Sequence, residues 1–252
     1  MDMDRAYKMP DDGRRIAYRI EEGDGPTVLW LGGFRSSMTA TKAEALADWG
    51  RTHHRRVVRF DYSGHGASDG AFADGRIGRW LAEARAMLAA FAKGEVIIVA
   101  SSMGGWLALL MAREGAIANL KGLVLIAPAP DFTERLMLPQ LTESQRVELS
   151  ATGAVALPDD YAAGVFHLTR GFFDDGRRHG VLDKPLRIGA PVHILQGMAD
   201  REVPYTLAQE LVGKIVEDDV VLTLIKDGDH RLSRPHDIAR LIDAVERIDA
   251  PA

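Results

Sequence analysis

Short runs of apolar and β-branched residues recur along the chain, separated by longer stretches whose apolar positions follow a helical repeat. Residues 28–31, 55–60, 96–101, 122–126, 192–196 and 220–225 read as strands. Several are apolar at nearly every position, the pattern of strands covered on both faces. A further edge strand is expected near 14–19, entered from the Asp11-Asp12-Gly13 turn. Between the strands, 41–50 is alanine-rich, and 77–91 places Ile77, Trp80, Leu81, Ala84, Leu88 and Phe91 along one broad face. Residues 104–113 are apolar on nearly every side, which predicts a helix buried against the sheet. Residues 234–248 put Ile238, Leu241, Ile242, Val245 and Ile248 at helical spacing, with Pro235 near the start, where proline costs least.

Strands that alternate with helices predict an α/β fold: a mostly parallel sheet, flanked by helices and linked by right-handed crossovers. The rhythm breaks between 130 and 189, where there is no central strand and only helical pieces punctuated by Gly and Pro. That stretch would leave the sheet at the carboxyl end of a strand, where sites form in open α/β folds, so it is expected to be a helical cap. The expected organisation is one domain over 1–252, with a core at about 1–130 and 189–252 and a cap at about 131–188.

Composition narrows the function classes. The chain has 252 residues, 46% apolar and 27% charged, with a formal charge of −5, the profile of an ordinary globular protein. That charge and the scattered arginines offer no basic stripe for a nucleic acid. No apolar run is long enough to span a bilayer, so no stable membrane insertion is expected. The absence of cysteine removes thiol catalysis and thiolate metal sites and suits a reducing compartment. With no secretory pattern in the first twenty residues, a cytoplasmic location is the default expectation. Apart from the candidate catalytic residues named below, no His/Asp cluster has metal-ligand spacing, so no metal is expected.

The strongest local signal is the run from Val96 to Trp106. A buried strand enters Ser101-Ser102 and passes directly into a helix, the context that gives a G-x-S-x-G turn its meaning. Ala100 stands in place of the first glycine and Gly104 keeps the second, which selects Ser102; the frame for Ser101 would put β-branched Val99 in the crowded position. The competing reading is a serine that simply N-caps the helix.

A serine nucleophile needs a histidine to take its proton and a carboxylate to hold the imidazole tautomer. In this fold class the order is Ser, acid, His, each after a strand. Asp200 follows the strand at 192–196 and His230 follows the strand at 220–225. His53 and His54 precede a strand, His193 lies within one, His167 and His179 fall in the cap, and His65 precedes the serine. Asp227 and Asp229 are expected to shape the turn beside His230. The amides of Phe34, after the Gly32-Gly33 turn, and Met103 are the expected oxyanion donors. Leu136, Leu138, Phe166 and Phe172 are candidates for an acyl pocket, and Arg35 and Arg201 for contacts to an acidic leaving group, as is Arg231. The glycines of the segment from Arg59 to Gly70 match no nucleotide-binding spacing, and it is read as a structured turn below the site.

With these residues in place, the chain resembles the α/β-hydrolase superfamily over nearly its whole length. The Asp61-Tyr62-Ser63-Gly64-His65-Gly66-Ala67-Ser68 segment, the Gln196-Gly197-Met198 run before Asp200, and Asp229-His230-Arg231 resemble the mitochondrial depalmitoylating thioesterases, also described as acyl-glucuronide esterases, and their bacterial relatives. It departs from many superfamily members at Gly32, where a histidine is frequent, and at Ala100. The resemblance implies a serine hydrolase acting on fatty acyl thioesters or esters through an acyl-enzyme, on a small-molecule or acylated substrate, without a cofactor. Other expectations kept open are a broad carboxylesterase and, outside enzymes, a ligand-binding protein on a hydrolase scaffold. The sequence leaves the oligomeric state open.

Overall fold

The computed structural model describes residues 5–158, 164–217 and 219–250. Its strands are β1 (Arg5–Lys8), β2 (Arg15–Glu21), β3 (Asp24–Leu31), β4 (Arg55–Phe60), β5 (Val96–Ser101), β6 (Leu120–Ile126), β7 (Ala154–Pro158), β8 (Val165–Thr169), β9 (Val192–Gly197) and β10 (Val220–Ile225). Eight of them form one sheet in the order β1-β2-β4-β3-β5-β6-β9-β10, while β7 and β8 pair only with each other. From β4 to β10 every neighbour is parallel, and β2 joins β4 antiparallel. The segment near 14–19 is therefore a strand but not the sheet edge, because β1 pairs outside it.

The helices are α1 (Thr41–His53), α2 (Ile77–Phe91), α3 (Met103–Arg113), α4 (Leu138–Gln140), α5 (Glu143–Thr152), α6 (Arg170–Arg178), α7 (Tyr205–Lys214) and α8 (Pro235–Asp249). Successive side chains of a strand point to opposite faces, and β5 shows the consequence. Ile98 and Ala100 enter one core with Trp80 and Leu88 of α2 and Trp106 and Leu110 of α3. Ile97 and Val99 enter the other with Leu46 and Trp49 of α1 and Leu241, Val245 and Ile248 of α8. Helix α3 is buried from Met103 to Ala112, as its unbroken apolar composition predicts. None of the described helices is long and apolar enough to cross a membrane.

The helical insertion leaves the sheet after β6. It begins with a π-helical turn at Thr133–Met137 that runs into α4 and α5, and it ends with α6. Between α5 and α6 it carries the β7–β8 hairpin, which the helical reading of this stretch did not include. Of the expected cap, residues 159–163 lie outside the described residues, as do 1–4, 218 and 251–252 of the expected domain. Asp131 clasps the two ends of the insertion: its carboxylate accepts the N–H groups of Val181 and Leu182 at 2.8 and 3.0 Å.

Under the carboxyl end of β4, the turn from Asp61 to Asp69 is locked by buried polar contacts. Glu83 of α2, fully buried, accepts the Ser63 N–H at 2.9 Å and Arg14 Nη1 at 2.9 Å. Burial raises its carboxyl above the usual range against these bonds. His65 is 4% exposed and burial lowers its imidazole to about 4, a shift that the Arg35 charge deepens and a bond to the Ser63 carbonyl opposes.

Two stability tests follow from this turn. Glu83→Ala strands the buried Ser63 N–H and removes one of the carboxylates paired with Arg14, which keeps Ser63 Oγ and Asp12, and is expected to cost about 2 kcal/mol in urea unfolding. For His65 the folded value lies below the unfolded one, so the unfolded chain binds more protons and stability falls as pH drops from about 6.5 to 4. The expected loss is at most about 3 kcal/mol. It is read as the difference in urea midpoint between the native chain and His65→Gln across that window.

Candidate active site

The carboxyl ends of β3, β5, β9 and β10 face the same side of the sheet, and each releases a loop there. At the end of β5 the chain turns so sharply that Ser102 adopts φ 54° and ψ −117°. A non-glycine residue held at positive φ stores about 1–3 kcal/mol, and it persists only where its surroundings over-determine it. Here they do. The Ser102 N–H donates to the Ile126 carbonyl, and its own carbonyl accepts from Gly105 and Ala129. A Cβ on Gly104 would sit 2.2 Å from the Leu31 carbonyl oxygen, so only glycine lets α3 start this close to β3. Buried Ala100 fits between Leu31 and Leu125 without the first glycine of the pattern.

The Ser102 side chain makes no capping bond to α3. Its Oγ instead lies 3.1 Å from His230 Nε2, and His230 Nδ1 lies 2.8 Å from Asp200 Oδ2. The structure thus joins the three residues that the strand order picked out into one hydrogen-bonded chain. Asp200 is held by more than the imidazole. Its Oδ1 accepts the N–H groups of Glu202 and Val203, and its Oδ2 also accepts from Gln196 Nε2 at 3.1 Å. Gln196, fully buried at the end of β9, is a contributor that sequence reasoning missed; an amide in a run of strand residues was the available signal. Glu202 Oε2 lies 3.7 Å from His230 Nε2, a second carboxylate at the imidazole that was likewise not foreseen. Asp229 caps its own turn through the Leu232 N–H and Asp227 pairs with Arg234, so neither competes for the imidazole. Lys42 of α1 donates to the Arg231 carbonyl and ties down the loop that carries His230.

Gly33, after β3, abuts the serine: a Cβ there would come 3.3 Å from Ser102 Cβ. The Ser36 N–H is taken by the Gly33 carbonyl and the Arg35 N–H by His65 Nε2. This leaves the N–H of Phe34, the residue after Gly33, without an acceptor among the described residues. The Met103 N–H, at the first turn of α3, belongs to the unbonded donors of a helix start.

Above these residues opens a cavity of about 860 Å³, within the range of small-molecule sites. Ser102 and His230 line it, as do Arg35, Leu136, Phe166 and Arg201 of the expected substrate contacts. Leu138 and Phe172 do not. Leu138 packs half-buried on the core, and Phe172 is 2% exposed within an aromatic cluster with Phe34, Trp80, Phe132 and Phe173. Their spacing marked them as apolar, and periodicity does not separate a lining residue from the core behind it. Phe132, Met137, Leu141 and Leu157 take the lining positions instead. The Arg35 guanidinium carbon sits 4.3 Å over the Phe166 ring, spanning the gap between the β3 loop and the insertion.

A model of the alpha/beta hydrolase family matches residues 28–241. The mouse protein named palmitoyl-protein thioesterase ABHD10, mitochondrial, is 34% identical over 236 residues, spanning 92% of this chain and 77% of its own length. Its human counterpart is 30% identical over 234 residues, spanning 92% and 75%. Among solved structures, a protein of Agrobacterium vitis S4 classed as a hydrolase superposes with a TM-score of 0.91 at 45% identity, over 98% of both chains. The mouse alpha/beta hydrolase domain-containing protein 10 superposes with a TM-score of 0.88 at 30% identity, again over 98% of both. These relatives correct the expected cytoplasmic location: the mouse and human proteins are named as mitochondrial. A cysteine-free chain without a long apolar run suits more than one reducing compartment, so composition did not discriminate. The chain belongs to the alpha/beta hydrolase family and is a serine hydrolase of the carboxylesterase and thioesterase type.

Proposed function

We propose that this chain hydrolyses fatty acyl thioesters or the corresponding oxygen esters, with Ser102 as nucleophile, His230 as base and Asp200 as the acid that orients it. The observation that carries the reading is the hydrogen-bonded chain from Ser102 Oγ through His230 to Asp200, set at the floor of a half-apolar cavity. His230 Nδ1 donates to Asp200, which leaves the Nε2 lone pair facing the serine hydroxyl, the tautomer that general-base catalysis requires. Ser102 Oγ attacks the acyl carbon while Nε2 takes its proton. The carbonyl oxygen gains charge and is met by the Phe34 and Met103 amides, backed by the positive end of α3. Collapse expels the thiolate or alkoxide, which receives the proton from Nε2. Water then repeats the sequence on the acyl-enzyme, and the acid is released with Ser102 restored. The step needs no cofactor.

In this proposal the insertion at about 131–188 is a cap on a core formed by about 1–130 and 189–252. It supplies the apolar side of the cavity, through Leu136, Met137, Leu141, Leu157 and Phe166, for the acyl chain. Arg35, Lys42, Arg201 and Arg231 also line the cavity, outnumbering Glu202 as the one carboxylate among the described lining residues, and favour a leaving group that carries negative charge.

The test is kcat/KM on matched thioesters and oxygen esters of increasing acyl length. Ser102→Ala is expected to lower turnover by about 10⁴-fold with the fold intact; wild-type turnover in that variant would remove the assignment. A rise toward long thioesters supports the acyl-chain reading, whereas a preference for short oxygen esters would assign a general carboxylesterase. Leu136→Asp is expected to cut kcat/KM on long chains by about 10-fold and to leave short chains near the native value, because a carboxylate in the lining penalises each buried methylene beside it.

A further inference from the structure

The turn from Asp61 to Asp69 carries a histidine that the proposed reaction does not use. His65 is 4% exposed and is not among the residues that line the main cavity; it borders a smaller one of about 360 Å³ that shares Arg35 and Phe166 with it. Its ring is wedged edge-on against Phe72 and Trp80, with centroids at 5.3 and 5.1 Å. Both nitrogens are used. Nε2 lies 3.0 Å from the Arg35 amide, which only donates, so this nitrogen holds a lone pair. The proton of the neutral ring is then on Nδ1, 3.2 Å from the Ser63 carbonyl, which accepts it.

The contact to Arg35 falls at a consequential place. Arg35 has φ 60°, a left-handed conformation that a residue with a Cβ leaves unless it is held. Its N–H belongs to the Phe34–Arg35 peptide, one peptide beyond the N–H of Phe34, which lines the same cavity as Ser102. The Phe34 ring is fixed by Phe72, Phe132 and Phe172 at 5.0, 5.6 and 5.6 Å. Farther along the same loop, Asp61 accepts the Met38 N–H at 2.6 Å, and Arg59 Nη1 donates to the Met38 carbonyl at 3.0 Å. The backbone of the loop is thus held from the neighbouring strand and turn at Arg35 and at Met38, and His65 holds it at the residue that follows Phe34.

We propose that His65 is a positioning residue: its Nε2 lone pair fixes the Phe34–Arg35 peptide and through it aims the Phe34 N–H at the oxyanion. Without that acceptor the Arg35 N–H is left unpaired beside a strained φ, and the loop relaxes by turning this peptide. The loss then falls on the transition state, where the oxyanion bond is made, and not on the bound ester. Burial keeps the ring neutral, and therefore able to accept, throughout the neutral range. The inference rests on the Ser102 reading above.

The pair His65→Asn and His65→Gln tests it. Asparagine can keep the donor to the Ser63 carbonyl but is too short to reach the Arg35 amide; glutamine sets an amide oxygen where Nε2 stood. In His65→Asn, kcat is expected to fall by about 30- to 100-fold with KM within about 3-fold. The affinity for a trifluoromethyl ketone, whose serine adduct carries an oxyanion, should weaken in step. His65→Gln is expected to recover kcat to within about 5-fold of the native enzyme. Equal losses in the two variants, or a loss carried by KM, would assign His65 a structural role and overturn the proposal; so would native kcat in His65→Asn. Ser102→Ala, assayed alongside, separates the two readings. If it remains active the site itself is misassigned, and if it is inactive while His65→Asn is not, only the role of His65 falls.

Discussion

The whole arrangement depends on one strained turn. Ser102 can stand proud of the sheet only because β5 stops and α3 begins within a single residue at positive φ, and that needs α3 to start against the backbone of β3. The absence of a Cβ at Gly104 makes the approach possible, and the apolar surface of α3 drives it. Every residue from Met103 to Ala112 is buried, each large side chain contributing about 1.5–3 kcal/mol, so burial far outweighs the cost of the turn. Strain at this point is thus a consequence of core packing and not an isolated local feature.

Polar groups around the turn are organised so that the imidazole has little freedom to be anything but a base. The Asp200 carboxylate is surrounded by donors from Gln196, Glu202, Val203 and His230, three of them independent of the imidazole. A buried carboxylate with fewer partners would pay a desolvation penalty of several kcal/mol and could rotate away. The two remaining strand loops are restrained as well, the His230 loop by Lys42 and the Phe34 loop by His65 and Asp61. Such pre-organisation matters because electrostatic stabilisation is strong only where the dipoles need not reorient during the reaction.

Much of this was legible in the sequence because the relevant signals are local. A strand covered on both faces is apolar at most positions, which made β5, β6 and β9 visible despite Lys121, His193 and Gln196, and the serine, acid and histidine each follow a strand in the chain. What escaped is what depends on partners distant in sequence. The four residues of β1 carry no alternation long enough to register, and α7 begins after Pro204 without a capping side chain. The β7–β8 hairpin hides in a segment whose apolar residues, such as Phe166 and Leu168, suit a helix equally well. Gln196 and Glu202 read as ordinary polar residues until the fold sets them against Asp200 and His230. Leu138 and Phe172 show the converse: their apolar character was correctly read, but which side of a wall they occupy is a matter of tertiary packing.

Chemistry and selectivity are carried by separable parts of the chain. Every polar group in the proposed acyl transfer sits just past the carboxyl end of a core strand, on a loop or, for Met103, in the first turn of α3, where the sheet holds it in register with its neighbours. The apolar lining comes largely from the insertion, whose ends the Asp131 clasp ties together and which meets the core through the Gly78 N–H to Asp175, the Trp106 indole N–H to the His179 carbonyl, and the Arg35–Phe166 contact at its rim. Leu136, Leu157 and Phe166 can therefore change without moving Ser102, His230 or Asp200, whereas a change at Gly104 or Gln196 reaches the proposed chemistry whatever the substrate. The same division explains why membership of the family is plain while acyl preference must be read from the cavity: the sheet dictates where the reaction occurs, and the insertion dictates what fits there.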